Sequence, residues 1–214
     1  SANSSGFDNT AVGSGALSAN TTGVDNTAVG TAALNYNTSG QYTTAFGAFA
    51  LTKNTASLYN TAVGYQSGGG NSSTYTSQGN TYVGFQSGYS ADTNSNFNTL
   101  LGYRAGISVT GTGNTLIGPA VSINTLSSGN NNIGIGYNTL FPSNTGNNQL
   151  NIGNFIYGTL PATTTATAFG LPTTGNLAVG SSSPFAEFGI HANNGSTYTS
   201  LFAIGSSTAS ATTT

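Results

Sequence analysis

One five-residue pattern of polar and apolar positions, Asn-Thr-x-apolar-Gly, recurs along most of this chain. It stands at residues 9–13, 26–30, 60–64, 80–84, 98–102 and 114–118, weakened at 43–47 and decayed at 132–136 and 149–153. The closing glycines are separated by 17, 17, 17, 20, 18, 16, 18 and 17 residues. A weaker element follows each glycine: Ala16-Leu17, Ala33-Leu34 and Ala50-Leu51, then Ser67-Gly68, Ser87-Gly88 and Ala105-Gly106, then Thr139-Leu140. Asn, Ser, Thr and Gly fill the spaces between, and these are turn residues. One unit therefore reads as short strand, glycine corner, second short strand and polar turn. No stretch carries a helical period. A unit this short cannot bury a face alone but can when stacked on its neighbours. The pattern predicts an all-β, parallel β-solenoid of about nine 17-residue coils, rising roughly 43 Å at ~4.8 Å per strand.

Alternation along the strand sorts the pentad into columns. The apolar fourth position (Val12, Val29, Phe46, Val63, Val83, Leu101, Ile117, Ile135, Ile152) is expected to fill the solenoid core, with the Thr column beside it. The Asn column is expected to form an amide ladder that satisfies turn backbone. The third position (Ala11, Ala28, Ala45, Ala62, Tyr82, Leu100, Leu116) lies on the opposite strand face and is also apolar. A strand apolar on both faces needs cover on both. Those residues are therefore expected to form an inter-chain interface in a homotrimer or larger assembly.

Composition narrows the function. Charged residues make up 3% of the 214 positions, two basic and four acidic, against about 25% in ordinary domains. Two cations cannot build a nucleic-acid groove. Four scattered acids cannot supply stacked calcium ligands, and the absence of cysteine removes thiolate metal and redox sites. No apolar run approaches the length of a membrane-spanning helix. The chain lacks both an initiator methionine and a leader, and reads as a processed product or a fragment. Its shortage of charge is a habit of extracellular fibres.

The Asn-Thr-Ala-Val-Gly-x-x-Ala-Leu unit, covering about residues 6–157, resembles the head repeats of trimeric autotransporter adhesins. The resemblance implies a left-handed parallel β-roll, three of which pack into one head. The coils here are longer than is typical of that family, and Thr replaces its first buried apolar residue. Residues 158–214 lose the pentad. The run from Gly175 to Ile190, with Pro184 in its middle, is similar to stem segments of phage tail fibres and bacterial surface fibres. The expected division is a head over residues 1–157 and a β-rich stem or connector over 158–214.

Candidate chemistry is sparse. His191 is the only imidazole, and Glu187 lies four residues before it, too far along an extended strand for a catalytic pair. Asp8 and Asp25 fall one coil apart in turns, where Asp is a natural turn former. Lys53 has no identifiable acidic partner for an isopeptide bond. The glycine runs precede no helix and so make no phosphate loop. No enzymatic activity, cofactor or metal is expected.

Aromatic residues are the better binding candidates. Tyr75, Tyr89 and Phe97 are expected to face a ligand, because the insert 68–79 lengthens one coil and solenoid insertions often gather on a binding face. Surface glycans or another cell are the expected partners beside the chain itself. The expected role is a structural and adhesive module of an extracellular trimeric fibre, at a cell surface or on a virion. A phage receptor-binding segment and a strand-exchanging filament subunit are the alternatives. An ice-binding solenoid needs a flat exposed Thr array, and is not expected while the Thr column lies on the buried face.

Overall fold

The computed structural model describes residues 4–70, 74–122 and 126–160, together with the backbone of 176–179 and 188–190. Each Thr-x-apolar triplet becomes a three-residue strand, as β-branched residues favour. The strands are β1 (Thr10–Val12), β2 (Thr27–Val29), β3 (Thr44–Phe46), β4 (Thr61–Val63), β5 (Thr81–Val83), β6 (Thr99–Leu101), β7 (Thr115–Ile117) and β8 (Ile133–Ile135). β9 (Gln149–Ile152), β10 (Ile156–Thr159), β11 (Asn176–Val179) and β12 (Phe188–Ile190) continue the same sheet in chain order. From β1 to β9 every pairing is parallel and in register, beginning with Thr10 on Thr27, Ala11 on Ala28 and Val12 on Val29. The result is a parallel β-solenoid of about eight turns.

Eight turns rather than nine coils follow from how the stack ends. β9 places Asn151 inward, where its Nδ2 donates to Leu140 O at 2.6 Å. The chain then reverses, and β10 pairs antiparallel with β9, Ile156 opposite Ile152. A polar inward residue and a reversed strand close the stack, as terminal repeats of solenoids require. β10 spans the head–stem boundary expected at 157. It pairs antiparallel with β11, which pairs parallel with β12. The rest of the expected stem, with His191 and Glu187, lies outside the described residues.

The corner after each strand is set by its glycine. Gly30 has φ 129°, a backbone region only glycine enters at low cost. A Cβ there would also stand 2.6 Å from the Gly47 carbonyl of the next coil. Both needs repeat up the stack, which is why this is the least variable position of the pattern.

The core is the reverse of the sequence expectation. In β2 to β7 the middle residue points inward and its two neighbours point out. Ala28, Ala45, Ala62, Tyr82, Leu100 and Leu116 are at most 1% exposed inside their own coils, so they are not an inter-chain interface. Ala11, in the first strand of the sheet, is exposed. The column expected to form the core lies outside: Val12, Phe46, Val63, Leu101, Ile135 and Ile152 are exposed, and Val29, Val83 and Ile117 are half-buried. The Thr column is outside as well.

The Asn ladder supplies the reason. Asn26 N donates to Asn9 Oδ1 at 3.0 Å, and Asn26 Nδ2 donates across its coil to Gly40 O at 2.7 Å. The same two bonds recur at Asn80 (to Asn60 Oδ1, 2.9 Å, and Ser95 O, 2.6 Å) and at Asn98 (to Asn80 Oδ1, 2.9 Å, and Gly111 O, 2.8 Å). The amide is buried and points inward to reach the turn carbonyl that precedes the next strand. Alternation then carries the residue two positions later inward with it, and that residue is the Ala column.

The narrow interior is filled by size exchange. Where the strand centre is small, the fourth residue after the glycine is large: Ala28 with Leu34, Ala45 with Leu51. Where the centre is large, that position is glycine or serine: Tyr82 with Gly88, Leu100 with Gly106, Leu116 with Ser122. A Cβ on Gly88 would meet the Tyr82 ring at 2.5 Å, and one on Gly106 would meet Leu100 at 2.8 Å. Ala62 and Gly68 are both small. The Tyr82 ring reaches over Gly68 from the next coil, where a Cβ would meet it at 2.5 Å.

Candidate functional site

With the core filled by the Ala/Leu columns, the outer strand face is left as a surface. It has two parallel columns. One is Thr10, Thr27, Thr44, Thr61, Thr81, Thr99 and Thr115. The other is the apolar column, with Val12 56% and Phe46 55% exposed. Two residues beyond the apolar column stand Tyr65, Phe85 and Tyr103, all exposed. Their rings stack at 5.5 and 5.3 Å with interplanar angles of 12° and 10°, and Phe49 meets Tyr65 edge-on at 5.9 Å. Strand side chains and rings together make one apolar ridge along the solenoid, longer than the scattered exposed apolar residues normal on a monomer.

A second, short row of rings borders the Thr column at the corner just before the pentad, at Tyr42, Tyr59 and Phe97. Tyr42 and Tyr59 stack at 5.4 Å and 4°. Phe97 continues the row, and Gly79 leaves it without a side chain between them; a Cβ on Gly79 would stand 2.6 Å from the Phe97 ring. Tyr42, Tyr59 and Phe97 have φ of 55°, 61° and 55°. Aromatic residues in this left-handed region cost on the order of 1–2 kcal/mol each. At Tyr42 and Tyr59 ring stacking offsets part of that.

Beside this row, three successive turns enclose a groove of about 270 Å³, lined by Ala56, Ser57 and Leu58, by Thr76, Ser77 and Gln78, and by Thr93 and Asn96. The second of these segments belongs to the insert. Thr76, Gln78 and Thr93 are exposed. Asn96 is fixed: its Oδ1 accepts from Gln78 N at 2.9 Å and its Nδ2 donates to Thr93 O at 3.3 Å. Asp92, the nearest acid in sequence, is spent on its own turn, where its Oδ1 accepts from Asn94 N at 2.8 Å.

The three residues expected to face a ligand separate. Phe97 is exposed beside the groove and Tyr89 is half-buried. Tyr75 is 4% exposed, and its hydroxyl donates to Gly68 O. The insert folds it under the Gly68–Gly70 bend to fill space those small residues leave, so Tyr75 is a core residue. Burial raises the pKa of the Tyr75 hydroxyl, and of Tyr82 even against the lowering effect of Ser77. The groove itself was missed, because its lining is scattered over three coils and carries no motif. The sequence signals were the insert 68–79, which supplies Thr76, Ser77 and Gln78 to the lining, and Gly79, which interrupts a ring position.

Charged chemistry stays dispersed. Asp8 and Asp25 occupy left-handed turn corners with φ of 54° and 55°. Lys53 Nζ sits 4.4 Å above the Tyr36 ring. Among the described residues no three His, Cys, Asp or Glu gather to hold a metal, and no helix is long and apolar enough to cross a membrane. No protein-family model, curated protein or solved structure matches the chain.

Proposed function

We propose that this chain is a non-enzymatic structural and adhesive module of an extracellular fibre, assembled side by side with copies of itself. One observation carries the reading: the apolar ridge of the Val column and the Tyr65–Phe85–Tyr103 stack, which the chain's own core does not use. Eight strand spacings of ~4.8 Å by five residues of ~3.3 Å give on the order of 600 Å². That approaches the ~800 Å² per partner of a stable interface. The interface thus moves from the Ala column, which is internal, to the Val column, which is not. The resemblance of the repeats to adhesin heads favours three copies. Rings stacked face to face offer only their edges, which suits an apolar contact between chains better than a sugar platform.

The test is the solution mass of the chain by light scattering, with Phe46→Asp and Val63→Asp as variants. Wild type is expected near three times 21.3 kDa. Each variant, changing an exposed residue, is expected to fall toward monomer with its β-sheet circular dichroism intact. A monomeric wild type refutes the assembly, and trimers in both variants refute the ridge as its interface.

A second reading has one observation in its favour. The exposed Thr column is a regular hydroxyl and methyl array at the strand spacing, as an ice-binding face requires. Bordering rows of rings and the projecting Phe46 break the flatness such a face needs. Thermal hysteresis abolished by Thr61→Lys would support this reading over the fibre.

A further inference from the structure

We infer that the groove between the turns at 56–58, 76–78 and 93–96 is a binding site for an uncharged saccharide, one per chain. The inference rests on the adhesive reading and names its ligand class. None of the lining residues is charged. An ionic ligand desolvated there would find no counter-charge, which is costly. What the groove presents is a ring of hydroxyls and carboxamides: Thr76, Gln78 and Thr93 facing solvent, and Asn96 held in place by Gln78 N and Thr93 O. Hydroxyls and amides both donate and accept, which matches the alternating demands of a sugar's hydroxyl groups.

The groove also borders a flat apolar surface. Phe97 is 60% exposed at the corner next to Asn96, and Tyr59 is 61% exposed next to Leu58. Tyr42 stacks on only one face of Tyr59. The coil that follows carries Gly79 at this position, and the Phe97 ring leans over that glycine, so Tyr59 and Phe97 together form the apolar rim of the groove. A pyranose has one C–H-rich face and polar edges, so it can lie on a ring while its hydroxyls reach Gln78 and Thr93. This is unlike the Tyr65–Phe85–Tyr103 stack, whose inner ring is sandwiched on both sides.

The site is built once. The coil step is 20 residues only across the insert, and Thr76–Gln78 come from that insert. A single shallow polar groove binds weakly by itself, and copies held in one fibre multiply it by avidity. The groove opens beside the Tyr59/Phe97 row, across the Thr column from the ridge assigned to assembly, so both contacts can be made at once.

The experiment is titration of the full chain, followed by NMR or calorimetry, with neutral gluco-, manno- and galacto-oligosaccharides and an oligouronate as charged control. At least one neutral series is expected to bind. Gln78→Ala and Phe97→Ala are each expected to weaken binding about tenfold, the loss of roughly 1.4 kcal/mol. Their solution mass and circular dichroism are expected to match wild type. No binding by any neutral series, binding of the oligouronate alone, or neutral binding that both variants retain would overturn the inference. Mass is read separately, so an assembled chain with a silent groove refutes the site alone, and a monomer that still binds refutes the fibre alone.

Discussion

Replacing Asn98 by alanine tests whether the buried amide ladder holds the coils together. Asn98 is 1% exposed near the middle of the stack. Its Nδ2 donates to Gly111 O at 2.8 Å, and its Oδ1 accepts from Asn114 N at 2.8 Å and from Asn114 Nδ2 at 3.1 Å. Alanine removes these three contacts and a fourth, from Nδ2 to Asn80 Oδ1 at 3.3 Å, and takes their side-chain partner from the buried Gly111 carbonyl and Asn114 amide. Each stranded backbone group costs about 1–3 kcal/mol, so the expected loss is about 2–6 kcal/mol. That is a large share of the ~5–15 kcal/mol of a whole domain. Asn9→Ala is the control. Asn9 makes the equivalent bonds, to Gly23 O at 2.7 Å and from Asn26 N at 3.0 Å. It lies half-buried in the first coil, where water can replace them, so the expected cost is about 1 kcal/mol or less. Urea unfolding followed by far-ultraviolet circular dichroism gives both values, and hydrogen exchange at Asn114 N–H locates the break. Loss of protection is expected to start at the coils joined by Asn98, because solenoid stability is a sum of nearest-neighbour interfaces. Equal midpoints for the two variants, or Asn98→Ala within about 0.5 kcal/mol of wild type, would refute the ladder as a principal source of stability.

Two other perturbations probe the interior. Leu100→Ala is expected to cost about 2–5 kcal/mol. Adding Gly106→Leu, which restores a small centre beside a large partner as in Ala28 with Leu34, is expected to recover part of that in urea melts, limited by Leu116 of the next coil at 3.1 Å from the new Cβ; a double variant less stable than the single one would show that size exchange is not what fills the coil. The left-handed φ of 58° at Gly106 is no obstacle, since Leu34 occupies the same position at 49°. Burial raises the pKa of Tyr75 and Tyr82 from the ordinary 10.0. Above pH 10 the unfolded chain therefore binds fewer protons than the folded one, and stability falls with rising pH. Each tyrosine contributes about 1.4 kcal/mol per pH unit. Stability is expected to be insensitive to these groups below about pH 9, and Tyr82→Phe is expected to reduce the alkaline slope by half. An unchanged slope would place the tyrosine in water.

Much of the fold was legible because the pentad names its own parts. The Gly column marks the corner, the Thr-x-Val triplet marks the strand, and the spacing demands stacking. Which face goes in was also written there, one step further on. Asn9 and Ala11 stand two residues apart, so an Asn ladder that serves the turn across the coil carries alanine inward with it. Hydrophobicity alone ranks Val above Ala and points the other way; hydrogen bonding decided, because a buried turn carbonyl without a donor costs more than an exposed valine. The reciprocal sizes of Ala28/Leu34 and Tyr82/Gly88 were a second visible clue that both columns share one interior. Left-handed corners at Leu34, Tyr59 and Phe97 were not legible, since those residue types ordinarily avoid that region. Nor was the groove, which exists only once three turns are brought together.

The outer face argues for its own surroundings. Thr and Val serve a strand about equally well, since both are β-branched, so secondary structure gives no reason to choose between them at two outward positions. Yet the chain keeps them apart. One outward column is Thr in seven successive strands, β1 to β7, and the other is apolar in all nine from β1 to β9. If both columns faced water, copies of a repeat this loosely spelled would have mixed the two residue types. On the fibre reading proposed above, this separation is expected, because one column would meet water and the other an apolar partner surface. The stacked rings of Tyr65, Phe85 and Tyr103 lie on the apolar column's side, and the polar groove lies on the Thr column's side. A second copy of the same ridge supplies an apolar surface of matching length and spacing without any further partner, and it leaves the groove open to whatever the fibre meets.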